Sequence, residues 1–164
     1  MLAASHVYSD NGSYVVTLTV TDDEGAVGTD RLTINVGNLP PRTNAGPDRT
    51  VNEGQLFSIV ANYSDPGSAD THTATIDWGD GTALETAQVR NASGGWSAAA
   101  SHRYADNGIF VVTVTVRDDD GAAASDTLIV TVNNVSPLVD GGPDRIVNSA
   151  DFVVLPVEIG RAHV

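Results

Sequence analysis

Apolar residues recur at every second position in several stretches of this chain. In Tyr14-Val-Val-Thr-Leu-Thr-Val20 one face carries Tyr14, Val16, Leu18 and Val20, and the other Val15, Thr17 and Thr19. Successive side chains of an extended backbone point to opposite faces, so a period of two predicts a half-buried strand. The β-branched residues on both faces favour it further. Phe110, Val112, Val114 and Val116 repeat the pattern; Leu32, Ile34 and Val36 form another run, matched by Leu128, Val130 and Val132. Turn signals separate the runs at Asp10-Asn-Gly12, Asp23-Glu-Gly25, Gly79-Asp-Gly81, Asp106-Asn-Gly108 and Asp119-Asp-Gly121. Glycine reaches positive φ at no steric cost there, and Asp or Asn tolerates it next best. No stretch holds a helical period long enough to predict a helix. Short strands broken by Gly-rich turns predict an all-β chain, built as a two-sheet antiparallel β-sandwich.

The chain also repeats itself. His6-Val-Tyr-Ser-Asp-Asn-Gly-Ser-Tyr-Val-Val-Thr-Leu-Thr-Val20 returns 96 residues later as His102-Arg-Tyr-Ala-Asp-Asn-Gly-Ile-Phe-Val-Val-Thr-Val-Thr-Val116. Gly46-Pro-Asp-Arg-Thr-Val-Asn52 returns at the same offset as Gly142-Pro-Asp-Arg-Ile-Val-Asn148. One gap-free offset across both pairs defines one structural unit in tandem repeat. Residues 38–133 are expected to form a complete copy, residues 1–37 the last third of a preceding copy, and residues 134–157 the opening of a third. The final stretch Glu158-Ile-Gly-Arg-Ala-His-Val164 back-translates to a sequence resembling a sequencing-library adapter, as in a metagenomic read. Residues 158–164 are therefore expected to be a non-native tail. Met1-Leu2-Ala3-Ala4-Ser5 leads into polar strand sequence and not an apolar leader, so any export signal is expected elsewhere.

Within the unit, Ala74, Ile76 and Trp78 share a face, which makes Trp78 the aromatic expected between the sheets on the third strand. Asp106-x-Gly108-x-Phe110-x-Val112 falls where an antibody domain has its tyrosine corner and second cysteine, and valine fills the cysteine slot. Taken together, Trp78-Gly79-Asp80-Gly81-Thr82, then His102-x-Tyr104, then Gly108-x-Phe110-x-Val112-x-Val114-x-Val116-x-Asp118 and Gly121 resemble the polycystic-kidney-disease-type (PKD) domain. The resemblance covers the complete copy and the matching part of the first. It implies an extracellular Ig-like module, common in bacterial surface proteins and in secreted proteases, chitinases and collagenases, where it serves as spacer, adhesion unit or substrate-contact accessory. Phe110 departs from the usual tyrosine, losing a corner hydroxyl while keeping its packing.

Composition narrows the chemistry. Eight Lys+Arg against 21 Asp+Glu give a net charge of −13, which repels phosphate backbones and excludes nucleic-acid partners. With no cysteine there is neither a disulfide nor a thiolate metal site, and the 41% hydrophobic content must supply the core alone. No apolar run approaches the roughly 20 residues of a membrane-spanning helix, so membrane insertion is not expected. The Trp78–Thr82 segment reads as a tight turn with Asp80 capping backbone N–H groups. His102 and Tyr104, mirrored by His6 and Tyr8, read as architecture and not as metal ligands. No nucleophile stands beside a base, so the chain is expected to be non-catalytic.

Acidic loops remain. In an Ig-like domain, Ser64-Asp-Pro-Gly-Ser-Ala-Asp-Thr-His72, Asp118-Asp-Asp-Gly121 and the connector Asn38-Leu-Pro-Pro41 converge on the pole where the chain comes in. Their oxygens suit a hard cation. Some PKD domains of secreted collagenases hold calcium at this end, and Asn38, Asp65 and Asp70 are the matching candidate Ca2+ ligands. His72 is expected at the surface, and the Thr17, Thr19, Thr113 and Thr115 rows are expected to be exposed. The reading is a spacer or adhesion array outside the cell, its partners neighbouring repeats and a cell-surface protein or polysaccharide. The alternative, a substrate-contact module of a secreted hydrolase, would need exposed aromatics, for which Trp96 and Tyr63 are the candidates.

Overall fold

The structure is a computed structural model that describes residues 4–92, 95–140, 142–154 and 158–159. Two sheets face each other over residues 42–133. The first has the order β4 (Arg49–Asn52), β11 (Ala123–Asn133), β10 (Gly108–Asp118), β6 (His72–Asp77), β7 (Glu85–Thr86). The second has the order β3 (Arg42–Asn44), β5 (Phe57–Ser64), β9 (Gly95–His102), β8 (Gln88–Ala92). Among the described residues there is no helix, hence none long and apolar enough to cross a membrane.

Alternation accounts for the layers. Along β5, Phe57, Ile59, Ala61 and Tyr63 are buried while Ser58, Val60, Asn62 and Ser64 are exposed. Along β10, Val112, Val114 and Val116 point inward, facing Ala74, Ile76 and Trp78 of β6 and the residue after it, all buried. These inner faces, with Leu128, Val130 and Val132 of β11, form one core. The Thr rows differ from expectation on the complete repeat: Thr113 and Thr115 are half-buried. Strands pair on both sides of β10, and Thr115 Oγ1 lies 2.8 Å from Ser125 Oγ.

One pairing in the otherwise antiparallel sandwich is parallel, that of β4 with β11. Periodicity reports which face a residue takes but not which strand lies beside it. The first strand of the repeat is split: β3 pairs with β5, then the chain crosses to the other sheet through Gly46, whose φ is +91°. Two carboxylates fasten the crossover, Asp126 accepting from Ala45 N–H at 2.9 Å and Asp48 from Ile129 N–H at 2.8 Å.

β1 (Gly12–Thr21) and β2 (Val27–Val36) form an antiparallel hairpin with the register of β10–β11: Gly12 faces Val36 as Gly108 faces Val132. Burial separates the two copies. Val112 and Val114 are 0% exposed, whereas their counterparts Val16 and Leu18 are 39% and 63% exposed. One pattern is buried where a second sheet covers it and open where none does. Beyond residue 133, β12 (Val139–Asp140) pairs with β13 (Glu158–Ile159), and residues 134–140 and 142–154 are exposed. Of the expected non-native tail, residues 160–164 lie outside the described residues, as do residues 155–157 of the expected third copy.

Candidate functional site

The motif residues of the complete repeat form a framework at the edge of the core. Trp78 is buried, and its Nε1–H donates to Glu85 Oε2 at 2.9 Å. Its ring stacks on His102 with centroids 4.8 Å apart. His102 Nε2 lies 2.7 Å from Asp80 Oδ2, while Asp80 Oδ1 accepts from Thr82 N–H at 3.1 Å and from Thr82 Oγ1 at 2.6 Å. Tyr104 donates its hydroxyl to Trp78 O at 3.1 Å and stacks on Phe110 at 4.5 Å. Gly79 and Gly81 hold positive φ in the turn, and Gly108 lies against the Phe110 ring, which a Cβ would meet at 3.0 Å. These contacts together hold the turn against the core.

Burial works to raise the Asp80 pKa, but the hydrogen bonds from Thr82 and His102 outweigh it and hold the carboxyl below 3.8. A depressed carboxylate contributes stability above its unfolded pKa and loses it as pH falls through the folded value. Asp80→Asn is therefore expected to cost about 2 kcal/mol at neutral pH. The deficit relative to wild type should shrink as pH drops below 3.8, as followed by urea unfolding across pH.

In the first copy, Tyr14 keeps the corner hydroxyl that Phe110 lacks, donating to Asp10 O at 3.0 Å and lying 3.2 Å from Asn11 O. This ties down the Asp10–Asn11 turn. That turn abuts the N-terminal pole of the complete repeat, where Ala69 N–H donates to Ser9 O at 3.1 Å and Asn11 Nδ2 donates to Asp120 Oδ1 at 3.1 Å.

The pole itself is built from the β5–β6 and β10–β11 loops. Asp65 Oδ1 accepts from Gly67 N–H at 2.9 Å, folding the first loop, and a Cβ on Gly67 would collide with the Asp70 carboxylate tucked beneath it. Thr71 donates through N–H and Oγ1 to Asp119 at 3.1 and 3.2 Å, joining the loops. Asn38 Nδ2 donates to Asp118 Oδ2 at 2.9 Å, which brings the connector in. Carboxylate oxygens of Asp65, Asp70 and Asp118 lie within 4.8 Å of one another, and so do those of Asp10, Asp70 and Asp120.

Asp70 is common to both groups. It is 4% exposed, and neither of its oxygens has a hydrogen-bond partner among the described residues. Burial, then Asp65, Asp10, Asp119 and Asp120, push its pKa up. Asp118, equally buried, moves the other way: hydrogen bonds from Asn38 and from the backbone of Ala122 and Gly121 outweigh the effect of burial. Like charges about 4 Å apart repel by about 1 kcal/mol per pair in water and about 4 kcal/mol at an effective dielectric of about 20. The donors are all oxygen, on loops and at the end of β10, which suits Ca2+ better than Mg2+ or Zn2+.

The candidate ligands read from the sequence, Asn38, Asp65 and Asp70, thus lie at one pole, where Asn38 Nδ2 donates to Asp118. Asp118 stood inside an acidic loop already singled out, and strand alternation would have placed it facing inward. Asp10 carries no local signal, because it reaches the pole from the preceding repeat.

Three expectations are corrected here. The His72 side chain is fully buried, not at the surface, with Nε2 2.9 Å from Asp65 Oδ2. It begins β6 on a core-facing edge, where Tyr63 and Trp96 pack on its ring at 5.0 and 4.9 Å. Trp96 is half-buried and Tyr63 buried, because the β5–β9 register sets them opposite each other. Neither is an exposed contact aromatic.

The PKD domain family matches the chain twice, over residues 2–36 and 38–132, and the chain belongs to it. The dyslexia-associated protein KIAA0319 of Homo sapiens is 32% identical over 159 residues, which cover 91% of this chain and 14% of that protein. The dyslexia-associated protein KIAA0319-like protein of Mus musculus is 30% identical over 143 residues, covering 82% of this chain and 13% of the relative. The chain therefore spans about one-seventh of the length of these relatives. Both matched segments are thus PKD-type modules.

Proposed function

We propose that the chain is a section of a tandem PKD array that acts outside the cell as a spacer or adhesion unit, with calcium bound at the N-terminal pole of each repeat. The observation that carries this reading is the direct docking of one repeat on the next, through Ala69 N–H to Ser9 O at 3.1 Å. The connector favours a stiff joint: Gly37-Asn-Leu-Pro-Pro41 is short, its prolines fix φ, and Pro41 is fully buried. β10 has 11 residues, so each repeat extends the array by about 37 Å. A row of such units holds a binding surface away from its anchor. Neighbouring repeats are the first partners, and a cell-surface protein or polysaccharide is the partner class that a non-catalytic extracellular array would meet.

Within a repeat, Asp65, Asp70 and Asp118 would hold the ion, with Asn38 orienting Asp118. The unpartnered Asp70 carboxylate is what fits a cation there. Thermal unfolding of the full chain in calcium and in EDTA tests this. At calcium a hundredfold above Kd, linkage adds about 2.7 kcal/mol, which raises the midpoint by roughly 10–20 °C for a domain of this size. Asp70→Asn should abolish the rise. In EDTA the same variant should be at least as stable as wild type, since a raised carboxylate pKa marks a charge the fold disfavours at neutral pH. An unchanged midpoint with calcium contradicts the site.

A further inference from the structure

The second acidic group at the pole belongs to no single repeat. Asp10 comes from the turn preceding β1, Asp70 from the β5–β6 loop and Asp120 from the β10–β11 turn, with carboxylate oxygens within 4.8 Å of one another. Three acids alone would be an ordinary solvated surface. Two independent observations point to a ligand. Asp70 is 4% exposed and both of its oxygens are buried without a hydrogen-bond partner among the described residues. Asn11, which donates from Nδ2 to Asp120 Oδ1 at 3.1 Å, leaves its own Oδ1 buried and equally unpartnered. A buried oxygen without a donor is costly, and these lie where two repeats meet.

We propose that Asp10, Asp70 and Asp120, with Asn11 as a neutral oxygen donor, hold a hard divalent cation of the calcium class between consecutive repeats, so that the ion and not the connector alone fixes the joint. The proposal rests on the reading that this pole binds calcium, and it shares Asp70 with the site inside the repeat. Its new element is the contribution of the preceding repeat. The 96-residue period carries the arrangement forward: Asp106 and Asn107 stand in the complete repeat where Asp10 and Asn11 stand in the first. They are exposed just before β10, at the pole opposite Asp118, ready to complete the same site on a following repeat. Each repeat thus offers a receiving half at one end and a donating half at the other.

The test is calcium binding to the full chain by isothermal titration, in wild type, Asp10→Asn, Asp120→Asn and Asp65→Asn. Asp10 and Asp120 are exposed, so their variants should fold, and an unchanged unfolding midpoint in EDTA verifies that. The expected result is that Asp10→Asn and Asp120→Asn each weaken one equivalent of calcium at least tenfold. Asp65→Asn should leave that equivalent in place and weaken the other. Wild-type binding in Asp10→Asn and Asp120→Asn together with loss in Asp65→Asn overturns the inter-repeat site and leaves the intra-repeat one standing. Loss in Asp10→Asn with retention in Asp65→Asn supports the inter-repeat site even where the intra-repeat one fails. Absence of calcium binding in wild type overturns both.

Discussion

Trp78→Ala is expected to leave the complete repeat unfolded or barely stable at room temperature. The side chain is 1% exposed, meets the Phe57 ring at 6.0 Å edge-on and stacks on His102 at 4.8 Å. Removing a buried aromatic costs about 3–5 kcal/mol, from lost transfer energy and the cavity left behind. Domains of this size hold about 5–15 kcal/mol in all. Without a disulfide, the repeat has no cross-link to limit the loss. Leu18→Ala in the β1–β2 hairpin is the control: that side chain is 63% exposed, and its loss should cost under about 1 kcal/mol. Urea unfolding followed by far-UV circular dichroism checks both. A loss below about 1 kcal/mol for Trp78→Ala would remove this residue from the core.

The second large effect concerns backbone, not burial. Gly79 has φ +75°, and a Cβ there would overlap the carbonyl oxygen of Val111 and come within 3.1 Å of its nitrogen. A left-handed conformation costs a non-glycine residue about 1–2 kcal/mol, and overpacking against a strand that cannot yield adds about 1–3 kcal/mol. Gly79→Ala is therefore expected to cost about 3 kcal/mol. Gly81→Ala separates the two contributions, because Gly81 has φ +83° but nothing within 4 Å of its Cβ position. It should lose only the first, about 1–2 kcal/mol. Equal losses at the two glycines would contradict the close approach of the turn to β10.

Much of this was legible in the sequence because it depends on local period. Alternation at Val112, Val114 and Val116 gave the inward face, and the 96-residue offset gave the matching register of the β1–β2 and β10–β11 hairpins. The turn glycines and the Asp80 cap also follow from short-range chemistry. What stayed hidden depends on which segments meet. The crossover that sets β4 parallel to β11 leaves no mark on the pattern of either strand. His72 looks like a polar loop residue until Asp65 folds back on it and Trp96 arrives from β9. Trp96 follows a glycine pair and reads as exposed, yet the register places it opposite Tyr63. Asp10 is the extreme case: its role at the pole requires the docking of two repeats, which no single repeat encodes.

That docking is the central claim, and residual dipolar couplings on the full chain test it most directly. In saturating calcium, amides of β1 and β2 and those of β5, β6, β10 and β11 should fit one common alignment tensor, as for a single rigid body. In EDTA, with the acidic pole self-repelling, the hairpin should report a weaker and separate alignment. Two independent tensors in saturating calcium would mean that the repeats move freely about their connector, and the stiff array would have to be given up.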